Sequence, residues 1–343
     1  MKIKRKNKGG DGVDRFYLVD AIWKGMDFIF SQMREDGIFP IRVGKNQSLL
    51  NAAEFMIENY SSVVVLGCLS RCFTKHGFFF DREKKEKFAY LKNECAELFE
   101  RKTTVCFFSD FEFPDDIDIT SLASSNLIDL GEPKERFKET LEKVSLNYCA
   151  DKNSFFVYFF DSRELEEGEV KEETRKLRIG DIITDVNAEA FIRKMEKRIP
   201  AIEQEIFNFL RLKKYEKSGY SIYYITPMSY IYFAARLAAE VRNNKRWRLL
   251  LIVRAWEILF SSIQKEFSPL NISMGISSLI LMGEEDVDEI FVNFILSFQD
   301  AQTGAWPAEA LFHYGRRIGF FGSRVLSTAF AIEALCSCLK KAG

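Results

Sequence analysis

Apolar residues recur three and four positions apart through most of the chain, while strand-like alternation is confined to short pieces. The spacing predicts helices over 14–33, 60–75, 84–101, 117–129, 133–148, 185–197, 200–216, 227–241, 247–264, 270–282, 286–299 and 323–340. Punctuation agrees: Pro133 and Pro200 fall where the first turn of a helix tolerates proline, Asp116 and Asp185 are placed as N-caps, and Gly77 and Gly283 close their segments. Two connections are longer, Gly37–Ala53 and Asp151–Thr184; the second holds the acidic run Glu164–Glu169, read as a solvated loop.

Composition narrows the class. Of 343 residues 47% are hydrophobic, and 49 Lys and Arg nearly cancel 50 Asp and Glu. A net charge of −1 gives no general field for nucleic acid. The basic stretch Met1–Lys8 lacks a following apolar segment and is not expected to be a signal peptide, so residues 1–12 read as a disordered leader before one domain over 13–343. A weak touch of this leader on anionic lipid is the alternative. Seven cysteines in apolar settings fit reduced thiols and a cytoplasmic location. Cys68 and Cys72 can share a helix face, but with only His76 and His313 as histidines no metal and no cofactor is expected.

Thirty-three Phe, with 12 Tyr and 4 Trp, leave two readings, an aromatic core or an aromatic cavity. A weak internal repeat is also present. Gln299 is followed by Gly304, Ala305 and Trp306, and Gln32 by Gly37, Ile38 and Phe39. The spacing describes a helix end and a tight turn in which glycine takes a positive φ and the ring folds back over the amide. Its role is structural.

Gln299…Gly304-Ala305-Trp306 resembles the QW repeat of squalene-hopene and oxidosqualene cyclases. The segment Phe113–Ser121 is similar to the Asp-x-Asp-Asp-Thr-Ala motif of class II terpene cyclases, and Gly322–Leu335 to the last inner helix of that superfamily. The resemblance implies an all-α fold, a single (α/α)6 toroid of about twelve helices, six inner ones around a cavity and six outer ones enclosing them. It also implies proton-initiated cyclisation or isomerisation of an isoprenoid, with Asp118 as general acid. Two departures stand out. Ile119 occupies the position of the motif's third aspartate, and the chain has half the length of a two-domain triterpene cyclase. The zinc pattern of protein prenyltransferases is absent from the sequence.

The chemistry needs a neutral, desolvated carboxyl poised against an alkene. Asp110, Glu112, Asp115, Asp116 and Asp118 crowd five acids into nine residues, and mutual repulsion raises a pKa in such a group. Asp116 and the Thr120 hydroxyl are expected partners of Asp118; helix capping by the same acids is the bland reading. Candidate substrate contacts are Phe156, Tyr158, Tyr224, Tyr230 and Phe321 for a cation's π-contacts, Asn187 for an inward amide, and Arg324, with Arg316 and Arg317, for an anion. Core packing and surface ion pairing compete with each of these.

Alternatives remain: a non-catalytic binding or scaffold toroid, or a carbohydrate-active one whose second acid would be Glu189, Asp185 or Glu309. A magnesium and diphosphate site at Asp115–Asp118 is disfavoured because the spacing of Asp181–Glu189 does not supply a second metal cluster. The expected partner is a small isoprenoid. The sequence leaves its length and the oligomeric state open.

Overall fold

A computed structural model describes residues 15–45, 49, 52–55, 59–77, 80–106, 114–159, 179–241, 245–262, 268–284, 287–314 and 319–339. The basic leader, the acidic run 164–169, Arg316 and Arg317 lie outside the described residues. The described residues form twelve α-helices: α1 (Arg15–Gln32), α2 (Asn59–His76), α3 (Arg82–Arg101), α4 (Ile117–Asp129), α5 (Lys138–Leu146), α6 (Ile182–Lys194), α7 (Pro200–Arg211), α8 (Pro227–Glu240), α9 (Lys245–Ser262), α10 (Pro269–Leu281), α11 (Glu289–Ser297) and α12 (Arg324–Cys338).

Even-numbered helices pack in chain order, α2 on α4, α4 on α6 and so on, and α12 returns against α2 to close the ring. Odd-numbered helices lie outside them. The division follows from sequence. Inner helices are buried on all sides, as in Ile117–Leu127 of α4 and Val325–Cys336 of α12. Their surfaces therefore consist of apolar residues, small hydroxyls and few charges. Outer helices are one-sided: α7 buries Ile202, Ile206 and Leu210 at a spacing of four. The architecture is a single (α/α)6 toroid.

Close approach of inner helices uses a glycine at one point. A Cβ on Gly67 would lie 2.6 Å from the Asn126 side chain, whose amide nitrogen donates to the Val63 carbonyl at 2.9 Å.

Strands occupy the ends of the barrel, where the periodicity shows only loops. A four-stranded antiparallel sheet has the order β2 (Ala53–Phe55), β1 (Ile41–Gly44), β6 (Gly319–Ser323), β5 (Glu309–Tyr314). It joins the N-terminal and C-terminal parts of the chain through Val43 opposite Phe321. The short hairpin β3 (Tyr148–Cys149) and β4 (Ser154–Phe155) stands before α6. Beyond β5, Tyr224 bridges Phe312 and the His313 amide donates to the Tyr223 carbonyl at 2.7 Å, so the segment leading into α8 continues the sheet.

The Gln299–Trp306 turn works as a staple. Gln299 Nε2 donates to the carbonyls of Gly304 and, on α1, Ala21, both at 2.8 Å. Gly304 has φ +75°, and a Cβ there would lie 2.5 Å from the Lys24 carbonyl oxygen. Trp306 is fully buried and donates through Nε1 to the Ile295 carbonyl at 2.7 Å. The N-terminal counterpart shares the glycine geometry at Gly37, φ +71°. Gln32 differs, since its side chain is exposed and, among the described residues, donates to the neighbouring Ser31 hydroxyl and to no backbone carbonyl.

No helix among the described residues is long and apolar enough to cross a membrane.

Candidate active site

The N-terminal ends of the inner helices gather the candidate residues. Asp116 is the N-cap of α4; its Oδ1 accepts the Ile119 amide at 3.1 Å, the bond expected of a capping aspartate. The expectation that Asp185 caps α6 is corrected. Asp181 is the N-cap, accepting the Ile183 amide at 2.9 Å, because the helix begins a turn earlier than its apolar spacing shows.

Asp118 lies one residue inside α4 with 8% of its surface exposed. Oδ1 accepts from Asn187 Nδ2 of α6 at 2.6 Å, and Oδ2 accepts from the Tyr224 hydroxyl, just before α8, at 2.7 Å. The Tyr224 oxygen is in turn 2.7 Å from the Tyr60 oxygen on α2. Four inner helices thus meet through one carboxylate, one amide and two phenols. Tyr60 was absent from the sequence candidates, because a tyrosine in an apolar run carries no signal of its own.

Burial pushes Asp118 up to about 6, against the Tyr224 and Asn187 hydrogen bonds, which favour the charged form; Asp181 raises it further and Arg236 lowers it. Asp116 is raised well above the ordinary carboxylate range, first by burial and then by the Asp118 charge. Asp181 is also raised by burial, although the Ser221 hydroxyl at 2.7 Å and the Ile222 amide at 2.6 Å donate to it. The arrangement is a crowded, desolvated acid group with one member, Asp118, held between inner helices.

The other expected residues distribute as follows. Thr120 is not a partner of Asp118: its hydroxyl accepts the Val105 amide at 2.8 Å, because the fourth residue of α4 faces the segment before the helix. Phe156 and Tyr158 run beside the head of α4, where Tyr158 bridges Asp116 and its hydroxyl is 2.9 Å from that of Tyr223. Phe321 stacks on Phe312 at 5.3 Å, and Phe312 meets the Tyr60 ring edge-on at 5.2 Å, so these rings join the Asp118 group through Tyr60. Tyr224, expected as a π-face, contributes its hydroxyl.

Two candidates lie elsewhere. Tyr230 donates to the Ile206 carbonyl at 2.7 Å and stacks on Tyr215, between α8 and α7. Arg324 pairs with Asp300 at 3.2 Å and stands over the Phe28 ring, on the outer face of the Gln299 turn. Gln299, Gly304 and Trp306 belong to that same turn. The proposed second acids of a glycan site are committed to structure: Asp185 accepts from the Phe155 amide at 2.7 Å, Glu189 from Arg193 at 3.2 Å, and Glu309 from the Leu270 amide at 3.0 Å.

A second polar layer crosses the ring deeper along the inner helices. Arg71 of α2 forms a fork to Glu333 of α12 at 2.5 and 3.0 Å, and also donates to Tyr232 of α8 at 2.5 Å. Arg236 of α8 donates to Asn126 Oδ1 of α4 at 2.7 Å. Sequence reasoning missed this layer. Its signal was an isolated Glu333 inside Ala329–Leu335, a charge on an otherwise apolar inner helix.

Among the described residues no group of three or more His, Cys, Asp or Glu is placed to hold a metal ion. All seven cysteines are free thiols. An open hollow of about 410 Å³ lies outside the ring beside Asp115, with Lys102, Thr103, Glu139 and Lys143 in its wall, and does not include Asp118.

No family model matches the chain, and no curated protein matches its sequence. Solved structures do match its fold. A protein from Actinoplanes aligns with TM-score 0.68 and 13% identity over 94% of this chain and 99% of that one. The type II terpene cyclase MstE from Scytonema, in a variant bound to its substrate geranylgeranyl dihydroxybenzoate, aligns with TM-score 0.66 and 10% identity over 94% and 97%. An unsaturated glucuronyl hydrolase specific for heparin aligns with TM-score 0.58 and 9% identity over 94% and 97%. At these identities the likeness is one of fold. Terpene cyclases and carbohydrate enzymes share this toroid.

Proposed function

We propose that the protein is a class II terpene cyclase-like enzyme that protonates an isoprenoid alkene with Asp118 and so starts its cyclisation or isomerisation. One observation carries the reading: a carboxyl raised to about 6 sits buried at the head of an inner helix, held from the neighbouring helix heads and crowded by Asp116 and Asp181. A carboxyl of this kind keeps its proton in mildly acidic to near-neutral solution and delivers it where water is excluded. Burial and the Asp118 charge raise Asp116 in turn, so the neighbouring cap also favours its neutral form. Asn187 and Tyr224 fix the carboxyl plane and stabilise the carboxylate left behind. The rings assigned here to a developing cation are Tyr158, which bridges Asp116, with Phe156 two residues before it, and Phe321 with Phe312, which reach the group through Tyr60. Tyr230 and Arg324, bonded elsewhere, are withdrawn as substrate contacts, and Thr120 as a catalytic group.

Ile119 in place of a third acid leaves the motif with Asp116 and Asp118. In this reading the missing role falls to Asn187 and Tyr224, which hydrogen-bond Asp118. The carbohydrate reading loses ground because each nominated second acid already accepts from a backbone amide or serves an ion pair.

The test is product analysis with acyclic polyprenyl compounds, geranylgeranyl dihydroxybenzoate among them, at pH 5–7. Wild type is expected to yield cyclic or double-bond isomers, and Asp118→Asn to return the substrate unchanged with its helical circular dichroism intact. Equal turnover by the variant removes the assignment.

A further inference from the structure

An outer helix of the ring has nothing packed outside it, so its outward positions should be polar, as Arg82, Glu83, Lys85 and Glu86 of α3 are. Two neighbouring outer helices break this rule. Of ten large hydrophobic side chains exposed among the described residues, Leu249, Val253 and Phe260 stand on α9, and Ile290 and Phe298 on α11 and its C-cap. Leu249, Phe260 and Ile290 are 65%, 54% and 59% exposed. On α9, Leu249, Val253, Trp256 and Phe260 follow at steps of four, three and four, the spacing of one helical face. Trp256 stacks on Phe260 at 5.4 Å, and both meet Phe291 of α11 at 5.9 Å, so the two helices carry one continuous patch. Phe294 and Phe298, 4.8 Å apart, extend it along α11. An apolar patch of this kind on an outer wall marks a contact surface.

The charges beside it point to the partner. Lys245 and Arg246 begin the α9 stripe one turn before Leu249, and Arg248 lies next to it; all three are exposed, and none makes an ion pair among the described residues. Arg246 stands over the Phe207 ring of α7. Glu257, at the edge of the stripe, is taken up by Lys213 and Arg254. On α11, Asp288 caps the helix by accepting the Ile290 amide at 3.0 Å, and Glu289 follows it. The stripe on α9 thus opens in unpaired bases and runs on through Leu, Val, Trp and Phe with no acid among them. That is the pattern of a helix lying in a lipid headgroup layer, its apolar face at the acyl boundary and its Lys and Arg on phosphate. A second copy of the same stripe would bring the same bases and no acid to receive them. We propose that the α9–α11 face docks on the surface of an anionic phospholipid bilayer. Attachment is peripheral, since no described helix is long and apolar enough to cross a membrane. This face is distinct from the basic leader and from the Asp118 group, and the proposal does not depend on the chemistry assigned there.

Sedimentation of the full chain with lipid vesicles tests it. Vesicles of phosphatidylcholine with about 30% phosphatidylglycerol are expected to carry the protein down at low salt, and pure phosphatidylcholine to carry much less. Sodium chloride at about 1 M, where the Debye length is about 3 Å, is expected to remove that difference. Leu249→Ser combined with Phe260→Ser is expected to lower the partition coefficient about tenfold or more, because two large apolar side chains no longer leave water. Lys245→Gln combined with Arg246→Gln is expected to abolish the preference for anionic vesicles. All four side chains are exposed, so these variants should keep the wild-type circular dichroism, and Ile290→Ser on α11 gives an independent reading. Wild type that stays in solution with both vesicles, or an apolar double variant that binds as well as wild type, overturns the proposal. So does a wild type that dimerises by analytical ultracentrifugation without binding vesicles while the apolar double variant is monomeric, which would make the face an interface between copies. Vesicle binding by a protein that turns over no polyprenyl compound would keep this surface and remove the cyclase reading.

Discussion

Replacing Asp118 by asparagine should stabilise the protein while ending its chemistry. The carboxyl moves from an ordinary value of 3.8 to about 6 on folding. Two units correspond to roughly 3 kcal/mol. The folded chain binds this proton more tightly than the unfolded chain, so folding stability falls as pH rises from about 4 to about 6 and stays lower above that window. Asparagine has the same shape and no charge to desolvate. It cannot match both donors, since its own amide nitrogen must face Asn187 or Tyr224, and such a mismatch costs about 1 kcal/mol. The variant is therefore expected to gain about 1–3 kcal/mol at pH 7 and nothing below pH 4. Equilibrium urea denaturation of both proteins at several pH values measures the difference. A gain that grows through pH 4–6 supports a carboxyl strained by burial. A variant less stable than wild type at pH 7, or a difference independent of pH, would show that the carboxylate is a structural group paid for by its hydrogen bonds, and the reasoning would fail.

Three further expectations concern the scaffold. Arg71→Met should cost about 3–5 kcal/mol in the same assay at pH 7, because Glu333 is left buried and unpaired, whereas replacing both members by apolar residues should recover much of that loss. Gly304→Ala should destabilise by more than Gly219→Ala, though φ is positive at both, +75° and +73°: the first Cβ meets the Lys24 carbonyl and the second meets open space; a melting-temperature difference of the opposite sign would contradict the staple. Wild-type stability should go on falling as pH rises from 6 to 8, since burial also raises Glu189 to about 7 and Asp185 to about 8, and Asp185→Asn should flatten the upper part of that curve.

Much of the fold was legible because inner and outer helices differ from strands in period and from loops in polarity. Boundaries such as 117–129 and 227–241 lie within a residue of the observed helices. The three-residue error at α6 arose because Ile182 and Ile183 continue an apolar stretch that Asp181, not Asp185, caps. The sheet at the barrel mouth was not legible: its strands are three to six residues long, and the pairing that unites its two halves, β1 with β6, joins opposite ends of the chain. The candidate site was partly legible. Crowding of acids is written in 110–118, but which donors meet Asp118 depends on Asn187 and Tyr224, separated from it by 69 and 106 positions, and on Tyr60, 164 positions from Tyr224. Only closure of the ring brings those together. Arg324 shows the reverse case, where a plausible anion site in sequence resolves into an ion pair across a tight turn.

The central claim is that Asp118 hands a solvent-derived proton to an alkene. The most direct measurement is turnover of an acyclic polyprenyl compound in deuterium oxide, with mass analysis of the product from wild type and from Asp118→Asn. The account expects a cyclised or isomerised product that carries a solvent deuterium at the protonated carbon, formed by wild type and not by the variant. A product without deuterium, or one formed equally by both proteins, would contradict it.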